Sequence, residues 1–129
     1  MPEPDTIERM TVRAIRGGTQ VDANERALIL DAIAELVHAV LDRNGLTTDD
    51  LVSIIFTATA DLDAEFPAYA ARRAGITDVP MLSATEIDVP DAMPRVLRLL
   101  AHVETDRSRR ELHHVYLRGA AALRTDLPQ

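Results

Sequence analysis

The stretch Arg95-Val-Leu-Arg-Leu-Leu-Ala-His-Val103 has the composition of an apolar β-strand with a full positive charge in its middle. Because side chains alternate across a strand, Arg98 is expected on the same face as Val96 and Leu100. A guanidinium on an apolar face costs free energy unless anions or other acceptors pair with it. The stretch therefore predicts a strand whose charge has a defined partner.

Two further charges stand at the ends of apolar stretches. Glu86 follows the run Val79-Pro-Met-Leu-Ser-Ala-Thr85, and Arg16 follows Thr11-Val-Arg-Ala-Ile15. Three charges borne on strands indicate a polar site built on a rigid sheet. An internal salt bridge between Arg98 and Glu86 explains the same pattern, since structural ion pairs perturb a sheet as catalytic ones do. The residues alone leave both alternatives open.

The flanking sequence contains five stretches of strand composition, separated by Gly, Pro and charged residues. They are Thr11–Arg16, Leu51–Thr59, Val79–Glu86, Arg95–Thr105 and Leu112–Leu117. The second stretch is almost wholly apolar or β-branched, which predicts a central strand covered on both faces. Gly17-Gly18-Thr19 predicts a turn that ends the first strand, in preference to a phosphate-binding loop.

Two helices are expected between these strands. The first is indicated by apolar positions from Leu28 to Leu41 that recur with a 3.6-residue period. Asp22 and Glu25 have the spacing of a capping box at its start, and Asn44-Gly45 is a typical stop signal. A shorter helix begins at Phe66-Pro67, with the proline in its first turn.

The order β-α-β-α-β-β indicates an α+β fold with a mixed β-sheet and helices on one face. A long helix between the first two strands predicts a right-handed crossover. The other face of so apolar a sheet has no helix to cover it, so we expect oligomerisation to bury it. We expect one domain over residues 11–129, preceded by a short flexible arm of residues 1–10.

The amino-acid composition argues against several classes of function. The chain has 129 residues and a net charge of −7, and all 14 of its basic residues are arginine. This balance argues against a nucleic-acid binder, which needs a basic footprint, but leaves room for a local anion pocket. Without cysteine or a metal-type histidine spacing, no metal site is expected. Without an apolar leader or an 18-residue apolar run, we expect a cytoplasmic protein with no membrane contact.

Signatures of covalent catalysis and nucleotide binding are missing from the sequence. There is no G-x-S-x-G, no G-x-G-x-x-G and no P-loop. The remaining chemistry-bearing residues are several arginines, one glutamate, one tyrosine and one phenylalanine. Such a set suits positional and electrostatic catalysis on a small molecule with several negative charges.

Seven motifs in order resemble the monofunctional chorismate mutases of the small trimeric α/β-barrel type. The resemblance covers about residues 11–127. The motifs are Arg13-Ala-Ile-Arg-Gly17, Ser53-Ile-Ile-Phe-Thr-Ala-Thr59, Asp61-Leu-Asp-Ala-Glu-Phe-Pro67, Val79-Pro80, Glu86-Ile-Asp-Val-Pro90, Arg95-Val-Leu-Arg98, and His114-Val-Tyr-Leu-Arg-Gly-Ala120 with Leu123-Arg-Thr-Asp-Leu127. The resemblance implies a homotrimeric pseudo-α/β barrel that rearranges chorismate to prephenate in aromatic amino-acid biosynthesis. It implies no cofactor, no metal and no covalent intermediate.

The resemblance also implies residue roles. Arg98 matches the arginine that donates to the ether oxygen, Glu86 the acceptor for the ring hydroxyl, and Arg16 with Tyr116 the pair that binds the side-chain carboxylate. Further matches line or close the pocket: Phe66, Tyr69, Arg72, Leu82, Ser83 and Arg124. In the family the sites lie between subunits, with the Phe66 region from one chain and the Arg98 region from its neighbour.

Two positions depart from the family pattern. Tyr69 stands where lysine is frequent, which removes a cation that Arg72 or Arg73 could replace, and Ser83 stands where cysteine is frequent. Plainer interpretations of single residues remain: Tyr116 as a core aromatic, Phe66 as a helix staple and the two arginines as a solvated helix end.

Two other functions are alternatives. The first is a weakly active trimer that binds a small anion for regulation, against which the joint presence of Arg98, Glu86 and Arg16 argues. The second is a deaminase-like hydrolase of similar architecture, against which the Glu86–Pro90 and Arg95–Arg98 motifs argue.

Overall fold

The computed structural model describes residues 10–124, and the side chain of Arg124 is outside that description. Residues 1–9 of the predicted arm and residues 125–129 also lie outside it. The described elements, in chain order, are β1 (Thr11–Gln20), α1 (Arg26–Arg43), β2 (Leu51–Ala58), α2 (Pro67–Arg73), β3 (Met81–Thr85), β4 (Val96–Thr105) and β5 (Val115–Tyr116). Three 3₁₀ turns complete them: Thr48–Asp50, Arg109–Glu111 and Arg118–Arg124.

The five strands form one mixed sheet in the order β3-β2-β4-β1-β5. β4 is antiparallel to both β1 and β2, whereas β3 runs parallel to β2 and β5 runs parallel to β1. The predicted α+β fold with a mixed sheet is therefore confirmed. β1 and β2, which the long helix connects, are not neighbours, because β4 lies between them.

Gly17-Gly18-Thr19 does not form the predicted turn, because β1 continues through it to Gln20. Gly17 and Gly18 are buried, and neighbouring side chains occupy the space above them. A Cβ on Gly17 would lie 3.2 Å from side-chain atoms of Leu36 and Leu99. The glycines therefore serve close packing against the strand rather than a change of chain direction.

The first helix begins later than its predicted capping box. Its N-cap is Glu25, which makes no side-chain cap hydrogen bond, and Arg26 is the first helical residue. The preceding segment is instead tied across the fold, because Oδ1 of Asn24 accepts from the backbone N–H groups of Asp63 and Ala64 at 3.1 and 3.0 Å. The predicted stop is confirmed, since Asn44 is the C-cap and Gly45 has φ +61°.

The core lies between the sheet and the helices. Every second residue of β4 from Leu97 to Val103 is buried in it, with Ile54 and Phe56 of β2 and the apolar stripe of α1. The opposite sheet face is open within one chain. Val12, Ile55 and Leu82 are 54%, 38% and 67% exposed there, so the prediction that β2 is covered on both faces is wrong for the single chain.

Candidate active site

A row of paired residues crosses the sheet at the level of the central arginine. Thr57 of β2 pairs with Arg98 of β4, Arg98 pairs with Gly18 of β1, and Gly18 pairs with Tyr116 of β5. Arg98 and Leu100 face the open side of the sheet while Leu97 and Leu99 face the core, as the alternation of the sequence predicts. The row spans four strands and places the cation of Arg98 and the phenol of Tyr116 on the same face of the sheet.

The start of β4 is fixed by two side chains from the β2–α2 connection. The carboxylate of Asp61 accepts the N–H of Arg95 at 3.0 and 3.2 Å, and Oγ1 of Thr59 accepts the N–H of Val96 at 3.0 Å. Arg95 has φ +54°, a left-handed conformation that a non-glycine residue rarely adopts. These bonds therefore hold a tight entry into β4, three residues before Arg98.

Glu86 directly follows β3 and meets Arg98. Its N–H donates to the carbonyl of Ala58 at 2.9 Å, which fixes the backbone beside the row. Its Oε1 accepts from the hydroxyl of Thr57 at 2.7 Å and lies 3.3 Å from Nε of Arg98. The Nε–H does not point at that oxygen with hydrogen-bond geometry, so the Arg98–Glu86 contact is an ion pair only.

The ion pair leaves both partners with unused bonding capacity. Nε of Arg98 is buried, yet the side chain as a whole is 38% exposed, so its terminal nitrogens face the open side. No residue in the range 10–124 hydrogen-bonds those nitrogens or Oε2 of Glu86. The predicted salt bridge forms, and it presents a donor and an acceptor outward, which is the arrangement that the alternative of a polar site requires.

Arg16 and Tyr116 complete this side of the site. They line one cleft of about 370 Å³ together with Arg98, Thr57 and the apolar side chains of Ile55 and Leu100. Arg16 is exposed, whereas only 5% of Tyr116 is accessible, with its ring against the backbone of Gly18. A second cleft of about 400 Å³ joins Arg98 and Glu86 to the loop of residues 87–94. The first cleft contains two guanidiniums and no carboxylate, whereas the second also contains the carboxylates of Asp61, Asp88 and Asp91.

Phe66 and Ser83 lie in a separate cleft of about 310 Å³. Phe66 is the N-cap of α2 and is 71% exposed. Oγ of Ser83 accepts the N–H of Ala68 at 3.0 Å, so this hydroxyl anchors the first turn of α2 to β3. Glu65 anchors the same turn, and its bond from the N–H of Phe66 holds the pKa of its carboxyl below the usual value, with Arg26 adding to the effect.

The remaining predicted pocket residues do not join either group within one chain. Leu82 is exposed on the open face of β3, Tyr69 is exposed on α2, and Arg72 stands in the last turn of that helix. The guanidinium of Arg26 lies 5.9 Å from the centre of the Tyr69 ring, so the cation beside Tyr69 is Arg26 rather than either of the two arginines at the end of the helix. Arg124 closes the last 3₁₀ turn, and its side chain is not described.

Two residues of the site were missed by the sequence analysis. Thr57 and Gly18 flank Arg98 on the neighbouring strands, and neither has a sequence signal of its own. A Cβ on Gly18 would lie 3.0 Å from Cδ1 and Cε1 of Tyr116, so the missing side chain makes room for the phenol. Within residues 10–124, no three His, Asp and Glu side chains are grouped to hold a metal ion, and no helix is long and apolar enough to cross a membrane.

Comparisons with known proteins match most of the chain to a single family. Residues 12–127 match the family described as chorismate mutase type I. The chorismate mutase AroH of Thermus thermophilus is 45% identical over 117 residues, which cover 90% of this chain and 96% of the relative. The AroH of Bacillus subtilis is 34% identical over 119 residues, covering 92% and 94%. A solved chorismate mutase from Clostridium thermocellum superposes with a TM-score of 0.83 at 44% identity, covering 85% of this chain and 98% of that one.

Proposed function

The chain belongs to the chorismate mutase type I family, and from this membership we propose how its own residues convert chorismate into prephenate. The activity is an isomerisation in aromatic amino-acid biosynthesis. It is unimolecular: one C–O bond breaks and one C–C bond forms within a single molecule. A protein gains nothing from a nucleophile here, so it must hold the chair-shaped conformer and stabilise charge where it develops.

Arg98 is the residue we assign to the developing charge. As the C–O bond lengthens, the ether oxygen becomes more negative, and a fixed donor beside it stabilises the transition state more than the ground state. The terminal nitrogens of Arg98 face the open side of the sheet, and the buried Nε is held against Glu86. This outward-facing guanidinium on a central strand is the observation that supports the proposal most strongly.

Glu86 and the Arg16–Tyr116 pair fix the orientation of the substrate. Oε2 of Glu86 accepts from the ring hydroxyl of chorismate, since Oε1 is already engaged by Thr57. Arg16 and Tyr116 bind the enol-pyruvyl carboxylate in the cleft that they share with Arg98. A guanidinium suits that task because its planar donors match the two carboxylate oxygens.

The rest of the pocket comes from a neighbouring subunit in a homotrimer. Phe66 and Ser83 line a cleft of their own, apart from the cleft of Arg98, which supports a site assembled from two chains. The apolar side chains on the open sheet face support the same assembly, because a monomer would leave them in water. Phe66 forms a wall of the pocket, and Leu82 with Ser83 lines it from β3. Tyr69 and Arg72 lie near its mouth, and Arg124 belongs to the C-terminal segment that closes over it.

The direct test is to mix the purified protein with chorismate and follow the loss of its ultraviolet absorbance. Enzymatic conversion to prephenate supports the proposal. Tight binding of chorismate without turnover would instead support the regulatory alternative. The cytoplasmic location remains a prediction from the sequence, and cell fractionation with an antibody against the chain tests it.

A further inference from the structure

The imidazole of His114 makes a hydrogen bond to the backbone of a proposed substrate-binding residue. The N–H of Arg16 donates to Nδ1 of His114 at 2.9 Å. His114 immediately precedes β5, which pairs with β1 through only two residues, Gly17 with Val115 and Gly18 with Tyr116. The ring nitrogen therefore takes the place of a strand carbonyl at the point where the short ladder ends.

The geometry of the strand explains why a side chain is needed there. Backbone groups of Arg16 and Gly18 point to the same edge of β1, because alternate residues of a strand share an edge. The carbonyl of Gly18 accepts from Leu117 at 2.9 Å, but β5 supplies no carbonyl for the N–H of Arg16. His114 satisfies this donor and ties β5 to β1 at its outer end.

The donor also fixes the protonation state of the ring. A backbone N–H can only donate, so Nδ1 of His114 must accept and carries no proton. The ring proton of the neutral form is then on Nε2. Protonation of Nδ1 would place two N–H groups against each other and remove the bond. Histidine is the side chain whose ordinary pKa lies nearest neutrality, so acidification is a direct way to test the bond.

Several ionisable groups line the cleft beside His114. It borders a cleft of about 560 Å³ whose ionisable side chains are Arg13 and Arg16 of β1, His102 of β4 and Arg109 of the 3₁₀ turn. None of the described residues that line this cleft is acidic. The bond from the N–H of Arg16 is what requires the neutral acceptor form of the ring.

We propose that His114 is a positioning residue for substrate binding, which in its neutral form holds Arg16 and β5 in register and releases them when it is protonated. The inference rests on the proposed carboxylate-binding roles of Arg16 and Tyr116. Tyr116 lies two residues after His114, so the bond between Arg16 and His114 affects the positions of both side chains that bind the carboxylate. Loss of the bond weakens substrate binding while Arg98 and Glu86 keep their places.

Matched variants separate this role from a general structural one. The side-chain oxygen of His114→Asn can reach the place of Nδ1, whereas that of His114→Gln reaches the place of Nε2. We expect His114→Ala and His114→Gln to raise KM about 3- to 10-fold with kcat nearly unchanged, as for the loss of one hydrogen bond. His114→Asn should restore KM, and the exposed neighbour variant His113→Ala should equal the wild type.

Acidification gives the second readout. Between pH 8 and pH 5.5 the KM of the wild type should rise more than that of His114→Asn, whose amide does not titrate. Equal pH profiles for these two proteins, an Asn variant as impaired as the Ala variant, or an Ala variant that loses only thermal stability would each overturn the proposal. Imidazole ¹⁵N spectra test the contact without any activity: a proton on Nδ1 at pH 8 would refute it even if the protein failed to convert chorismate.

Discussion

Thr57 and Glu86 are joined by a hydrogen bond of 2.7 Å in which the hydroxyl donates to Oε1, the same oxygen that faces Nε of Arg98. The carboxylate is thus held from two strands at once, by a neutral donor on β2 and a cation on β4. One oxygen is committed to the protein and the other remains for a ligand.

Replacing the Thr57 hydroxyl should impair catalysis without changing the charge of the site. Thr57→Val keeps the shape but removes the donor to Glu86, and a hydrogen bond to a charged group contributes about 1.5–3 kcal/mol. We expect kcat/KM to fall about tenfold or more. Thr57→Ser keeps a hydroxyl and should stay close to the wild type, and an unimpaired valine variant would show that the bond does not orient Glu86.

Arg98 should be the most sensitive position. Loss of one preorganised donor costs roughly 3–4 kcal/mol, or about 10²–10³-fold in rate, and Arg98→Ala should cost at least that. Arg98→Lys keeps the charge but loses the planar fork, so it should remain strongly impaired. Steady-state kinetics should assign the defect mainly to kcat. Wild-type turnover with a lowered Tm would make Arg98 a structural ion-pair partner instead.

Glu86 should tolerate an amide better than a methyl group. Glu86→Gln retains a carbonyl acceptor for the substrate hydroxyl, whereas Glu86→Ala removes it and leaves Arg98 without its partner. Activity should therefore decrease in the order wild type, Gln, Ala, as measured by chorismate consumption. The same rate for the Ala variant and the wild type would exclude Glu86 from the site.

A methyl group on Gly18 should disturb the site, and a methyl group on Gly17 only the core. The Gly18→Ala side chain meets the Tyr116 ring at 3.0 Å, so the phenol must move and KM should rise severalfold. Gly17→Ala meets Leu36 and Leu99 at 3.2 Å on the helix side and should lose about 1–3 kcal/mol of stability through overpacking. Equal KM values for the two variants would argue against a role for Gly18 in placing Tyr116.

We expect the protein to be a trimer in solution, so light scattering should give a mass of about three times the 14.2 kDa of one chain. The variant Val12→Glu, which places a charge on the open sheet face, should dissociate. Ala27→Glu, on the exposed side of α1, should leave the assembly intact. A wild-type protein that is monomeric at micromolar concentration would contradict the shared site.

Local sequence patterns predicted the elements well, but long-range pairing was beyond them. The alternation around Arg98 and the stop at Asn44-Gly45 depend on neighbouring residues, and both predictions are confirmed. Gly17-Gly18 was misinterpreted because tertiary packing overrode the local preference of glycine for turns. The predicted fifth strand, Leu112–Leu117, forms a ladder of only two residues, and before it the side chain of His114 takes the place of a strand carbonyl.

The site residues also divide into those that local sequence patterns predict and those that depend on long-range pairing. Arg98 and Glu86 could be paired from the sequence because both charges stand out against apolar strands. Thr57 and Gly18 could not be found, because their proximity to Arg98 depends on the register between strands distant in sequence. Register is set by the hydrophobic pattern and the turn geometry of the whole sheet, so the local sequence around Thr57 or Gly18 does not reveal it. The cation beside Tyr69 is likewise visible only in three dimensions, because Arg26 lies over its ring.

The central position of β4 affects the order in which parts of this enzyme would unfold. Strands hydrogen-bonded on both sides exchange their amide hydrogens only when the whole domain opens, whereas edge strands such as β3 and β5 open locally. Arg98 therefore stands on the most slowly exchanging part of the fold, while Tyr116 and the segment before Glu86 stand at its edges. We expect mild denaturant to weaken substrate binding first, because the edge strands open first. The guanidinium of Arg98 should keep its position until global unfolding.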